Sequence, residues 1–123
     1  MATRTITGKD LEPTIQANPI VILDFWAAWC GPCRAFGPTF EKASEAHADV
    51  VFGKIDTEAE QDVAASLQIE GIPTLMVFRD GILLYRESGA LPPGPLEQLI
   101  QQVKALDMDK VRAEIAARPE SAN

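Results

Sequence analysis

Hydrophobic and polar positions along this chain alternate between two kinds of pattern. Ile20-Val21-Ile22-Leu23-Asp24-Phe25-Trp26 is apolar almost throughout, as a central strand covered on both faces should be. Val50-Val51-Phe52-Gly53-Lys54-Ile55-Asp56 reads as a second central strand. Thr3 to Ile6 reads as a short strand, and Asp10 to Ala17 as a helical turn or two. From Arg34 to Ala48 the apolar positions recur at helical spacing, with Phe36, Phe40 and Ala43 on the buried face. Pro32 falls in the first turn of that helix, where proline is tolerated. Pro38 falls inside it and predicts a kink. Asp62 to Leu67 reads as a short helix, and Thr74-Leu75-Met76-Val77-Phe78 as a strand. Arg79-Asp80-Gly81 is a hairpin signal, and Ile82 to Glu87 is the antiparallel partner. Leu91-Pro92-Pro93-Gly94-Pro95 breaks the chain before a last helix with Leu96, Leu99, Ile100 and Val103 on one face.

The order is βαβαβαββα, which defines an α/β protein. Strands linked through helices pair in parallel, and the final hairpin adds antiparallel strands. Past Leu106, the residues Met108, Val111 and Ile115 form one apolar stripe at helical spacing. Asp107 or Asp109 is placed to cap such a helix. A helix this short holds only if its stripe docks, and the body of its own domain is the expected seat. Arg118 to Asn123 reads as disordered. The domain division is therefore 1–106 and a C-terminal extension, 107–123.

With 123 residues, a single core is expected. Such a chain buries roughly two-thirds of the surface its unfolded form exposes. No apolar signal core and no run of about 18 apolar residues is present, so the expected address is the cytoplasm, with no membrane association. The net charge of −7 argues against nucleic acid and anionic membranes as partners. The five acidic residues between Asp56 and Glu70 read as a solvated face with dipole complementation.

The chemistry lies in Trp29-Cys30-Gly31-Pro32-Cys33, at the junction between the first central strand and the following helix. Cys30 and Cys33 are the only cysteines, so one intramolecular disulfide is possible. A loop this short stabilises little by entropy. The value of the bond therefore lies in being made and broken, and the spacing is that of dithiol–disulfide chemistry.

Asp24-Phe25-Trp26-Ala27, Trp29-Cys30-Gly31-Pro32-Cys33, Gly71-Ile72-Pro73-Thr74 and Gly89-Ala90 together resemble the thioredoxin family. The resemblance runs from about Thr3 to Ala105. It implies the thioredoxin fold, a five-stranded mixed sheet of order 1-3-2-4-5 flanked by helices. It implies that Cys30 attacks a substrate disulfide and that Cys33 resolves the mixed disulfide. The helix N-terminus favours a thiolate at Cys30. By the same resemblance Asp24 takes the proton of Cys33, Lys54 pairs with that carboxylate, and Pro73 follows a cis peptide bond. Trp29, Gly31, Pro32, Ile72, Pro73, Gly89 and Ala90 are the implied docking surface for disulfide-containing client proteins. Trp26 is a packing residue beneath it. Ser88 departs from the family, which often carries an apolar residue there. No prosthetic cofactor or metal is implied; electrons come from NADPH through a flavoprotein thioredoxin reductase, and a monomer is expected.

Three other readings stand beside this one. A cochaperone or binding module with secondary redox activity draws support only from the C-terminal extension, and the intact Cys30, Cys33, Asp24 and Pro73 argue against it. A zinc half-site lacks ligands, since His47 is the only histidine and reads as a solvated helix-end residue. The expected address and the Gly31-Pro32 pair speak against an oxidase or isomerase of the same fold.

Overall fold

The computed structural model describes residues 2–118, so 119–123 of the stretch expected to be disordered lie outside the described residues. Along the chain run β1 (Thr3–Thr5), α1 (Gly8–Ala17), β2 (Ile20–Trp26), α2 (Gly31–Ala46) and β3 (Val51–Asp56). They are followed by α3 (Gln61–Ser66), β4 (Thr74–Arg79), β5 (Ile82–Ser88), α4 (Pro93–Ala105) and α5 (Met108–Ala116). The strands form one five-stranded sheet of order β1-β3-β2-β4-β5. β3 pairs in parallel with both β1 and β2, whereas β4 is antiparallel to β2 and to β5. This is the thioredoxin fold that the motifs implied.

Alternation along β2 builds a core on each face of the sheet. Ile20 and Ile22 face Phe36 and Phe40 of α2 and Leu96, Ile100 and Val103 of α4. Val21, Leu23 and Phe25 face the other way, with Leu11 and Ile15 of α1 and Val63 of α3 against them. Continuing the alternation puts Asp24 on the α2 face, in step with Ile22. Asp24 is directly paired with Lys54 of β3, so the two share that face.

The hairpin is built as its sequence predicts. Its two loop residues, Asp80 and Gly81, have φ of +53° and +80°. Positive φ at both positions matches the right-handed twist of the flanking strands, and Asp-Gly supplies it at low steric cost.

Two local expectations are corrected. The proline-rich stretch does not merely break the chain, because α4 starts within it. Pro92 is the N-cap, and Pro93 and Pro95 occupy the first turn, where an amide N–H has no partner inside the helix to lose. His47 does end α2, yet it is buried rather than solvated, with 6% of its surface exposed. Packing of α4 on α2 covers it. Its Nε2 lies 2.7 Å from Glu97 Oε1 and its Nδ1 2.8 Å from Lys104 Nζ. An ammonium group can only donate, so Nδ1 accepts from Lys104 and Nε2–H donates to Glu97.

Pro38 lies inside α2, whose helical run continues across it. In α5, Asp107 is the cap, its side chain accepting from the Lys110 N–H at 3.2 Å. Met108 is buried, while Ile115, at the far end of the stripe, is exposed.

Candidate active site

Cys30 is the N-cap of α2, and its Sγ accepts the Cys33 N–H at 3.2 Å. Helix N-termini leave such donors unpaired, so the sulfur occupies a site that favours negative charge. Cys30 and Cys33 are joined by a disulfide, with Cα atoms 5.2 Å apart. Each is 4% exposed.

The turn before them is tied down from both sides. The Cys30 N–H donates to the Ala27 carbonyl at 3.1 Å, and Arg34 Nη1 donates to the Ala28 carbonyl at 2.8 Å. That leaves Trp29 projecting outward, 68% exposed, beside the exposed Gly31 and Pro32. A Cβ at Gly31 would meet nothing within 4 Å, which leaves room for another backbone to approach.

The start of β4 supplies the opposite wall. The Ile72–Pro73 bond is cis, and the Ile72 carbonyl oxygen lies 3.7 Å from Cys30 Sγ. Pro73 is buried and Ile72 half-buried. The Gly89 N–H donates to the Pro73 carbonyl at 2.7 Å, which brings the exposed Gly89-Ala90 segment to the same rim. Gly89 has φ +109°, a conformation that L side chains rarely adopt.

Beneath this surface lies Asp24, fully buried, with neither carboxylate oxygen hydrogen-bonded. Desolvation pushes its carboxyl up to about 7, against the attraction of Lys54. Lys54 is not at a sheet edge, since β3 lies between β1 and β2. Its Nζ sits 5.0 Å from the centroid of the Trp26 ring, within cation–π range. Trp26 in turn packs against Ala27, Cys30 and Cys33.

Ile72 and Trp26 thus pack against the cysteine cluster, while Asp24 and Lys54 lie beside each other on β2 and β3, with Lys54 over Trp26. Two of their neighbours, noted in the sequence only as a motif residue and as a departure from the family, prove to be partners. Thr74 is buried, and its hydroxyl donates to the Gly71 carbonyl. Ser88 Oγ lies 3.2 Å from Thr74 Oγ1. Their pairing depends on the register of β4 with β5, which residue types alone do not reveal.

A helix-capping cysteine bonded to a second one turn away, on this sheet, defines a dithiol–disulfide oxidoreductase site. Comparison with known proteins agrees. The thioredoxin family model matches residues 2–105. Putative thioredoxin 2 of Streptomyces coelicolor is 46% identical over 115 residues, covering 94% of this chain and 86% of its own. Thioredoxin of Alicyclobacillus acidocaldarius is 38% identical over 103 residues, covering 83% and 98%. Among solved structures, chloroplastic thioredoxin z superposes with a TM-score of 0.80 at 30% identity, covering 86% of this chain and 97% of that one. A mutant thioredoxin from Halobacterium salinarum gives 0.78 at 31%, covering 85% and 94%.

The chain belongs to the thioredoxin family. It is a thioredoxin-like protein-disulfide reductase that works through its own cysteine pair rather than a prosthetic group. Among the described residues, no helix is long and apolar enough to cross a membrane.

Proposed function

We propose that Cys30 is the nucleophile and Cys33 the resolving thiol. The Cys30 thiolate attacks one sulfur of a client disulfide, and the client's other sulfur leaves as a thiolate. Asp24 then accepts the Cys33 proton. The Cys33 thiolate attacks Cys30 Sγ, and the client's remaining sulfur departs and is protonated. Two electrons have passed to the client, and the Cys30–Cys33 bond is restored. Two electrons from NADPH, delivered by a flavoprotein thioredoxin reductase, complete the cycle.

The observation that carries this reading is Cys30 Sγ at the N-cap of α2, accepting the Cys33 N–H and facing the Ile72 carbonyl. A carboxyl raised to about 7 suits Asp24 to proton transfer near neutral pH. The neighbouring Lys54 favours its ionised form. Trp29, Gly31, Pro32, Ile72, Pro73, Gly89 and Ala90 form the docking surface, with the Ile72 backbone available to an extended client segment. The redox unit spans 1–106 and acts as a monomer, with 107–123 an extension outside the chemistry. A reducing compartment, the cytoplasm, fits a chain whose only cysteines form a reactive pair.

Insulin reduction coupled to NADPH and a thioredoxin reductase tests the proposal. Brisk turnover is expected from the wild type and none from Cys30→Ser. Turnover surviving in that variant would remove Cys30 from the role of nucleophile.

A further inference from the structure

Ser88 is the last residue of β5 and is exposed, directly across from the buried Thr74. The two hydroxyl oxygens are 3.2 Å apart. A hydroxyl has one proton to give. That of Thr74 goes to the Gly71 carbonyl, so the bond between the hydroxyls takes its proton from Ser88. The result is a directed relay, Ser88 O–H to Thr74 O–H to Gly71 C=O. Ser88 also lies over the loop closely enough that only a residue without a side chain fits beneath it unhindered. A Cβ at Gly71 would lie 3.2 Å from Ser88 Oγ and 3.3 Å from Ser88 Cβ. At the loop's other end, the Gly89 N–H holds the Pro73 carbonyl at 2.7 Å. The end of β5 therefore grips Gly71–Pro73 on both sides of Ile72, whose carbonyl faces Cys30 Sγ at 3.7 Å.

We propose that Ser88 is a positioning residue for client docking, fixing the Gly71–Pro73 loop through Thr74 so that the Ile72 backbone is held ready opposite Cys30. The proposal rests on the reductase reading above. Ser88 touches neither sulfur, so its influence falls on binding of an extended polypeptide and not on exchange at the cysteines. A small disulfide that needs only Cys30 does not depend on the relay.

The test is single-turnover reduction by the pre-reduced protein, with the rate followed against insulin concentration and, separately, against dithiobis(nitrobenzoate), a small aromatic disulfide. Ser88→Ala is expected to raise the half-saturating insulin concentration about fivefold, the worth of one hydrogen bond. The maximal rate and the rate with the small disulfide should stay unchanged. Ser88→Thr, which keeps the hydroxyl, should restore insulin binding. Ser88→Ala added to Thr74→Val should cost nothing further, because the relay is already cut. The proposal is overturned if Ser88→Ala leaves insulin saturation unchanged, slows both substrates alike, or adds its full effect to Thr74→Val. Failure of the wild type to reduce insulin at all overturns the reductase reading, and this proposal with it.

Discussion

Asp24 shows how one side chain ties the site to the stability of the molecule. Its carboxyl rises from 3.8 to about 7 because burial penalises the charge more than Lys54 favours it. Between those values the folded protein keeps a proton that the unfolded chain releases. The unfolded state binds fewer protons there, so stability falls as pH rises through the window. Below about pH 4 both states are protonated and the cost vanishes; above about pH 7 it is complete, on the order of 4 kcal/mol. Asp24→Asn cannot ionise. Urea unfolding should find it close to the wild type near about pH 4 and more stable by about 2–4 kcal/mol near about pH 8. Its insulin reduction near neutrality should be slower, since the proposed proton acceptor is gone. A stability gain that does not depend on pH would assign the effect to something other than the buried charge. At this scale the sequence was readable wherever chemistry is carried by residue type and spacing: Cys30, Cys33 and a lone Asp24 in an apolar run. It was not readable for Ser88 and Thr74, whose partnership exists only once β5 is laid against β4 in register.

Among the elements, β3 holds a position where packing leaves no room for a side chain. It lies between β1 and β2, and Gly53 in its middle is crossed by Ile6 just beyond β1. A Cβ at Gly53 would fall 2.2 Å from Ile6 Cδ1 and 3.1 Å from Leu23 Cδ2. Ile6 and Leu23 are both buried in the core against α1 and α3, so neither moves without repacking it. Gly53→Ala should therefore destabilise the protein by about 1–3 kcal/mol, the usual cost of an overfilled core. Denaturant unfolding measures it, and insulin reduction well below the melting temperature should be retained, since Lys54 still faces Asp24. No loss of stability would mean that Ile6 finds another rotamer freely. Strand order came with the family resemblance rather than from the apolar runs. The rule that helix-linked strands pair in parallel holds for β2 and β3 across α2, but β3 and β4, linked by α3, run in opposite directions. The start of α4 was not legible, because prolines that read as a break are equally at home in a first turn. Nor was the burial of His47, which follows from α4 lying over the end of α2 and bringing Glu97 and Lys104 to it.

For the molecule as a whole, the open question is what α5 adds to a unit that the family model matches only as far as residue 105. The extension is fastened at one end of the sheet. Arg79 Nη1 donates to the Leu106 carbonyl at 2.9 Å, Met108 is buried, and Arg112 pairs with Asp80 at 3.3 Å. Arg79 and Asp80 close β4 at the end opposite Thr74, and six residues of extended strand separate those ends by roughly 17 Å. The redox surface lies at the Thr74 end, so α5 sits away from it. Its hold is modest: the Arg112–Asp80 pair is exposed and worth little, which leaves Met108 as the main anchor. Truncation after Leu106 should cost about 1–2 kcal/mol, the scale of one partly retained apolar anchor. Insulin reduction should remain near normal, and light scattering should give a monomeric mass with and without the extension. A halved mass on truncation would make the exposed Ile115 end of α5 a subunit contact, and a collapse of activity would bring the extension into the catalytic cycle. Retention of both, with a small loss of stability, would fix α5 as a brace on the β4–β5 turn.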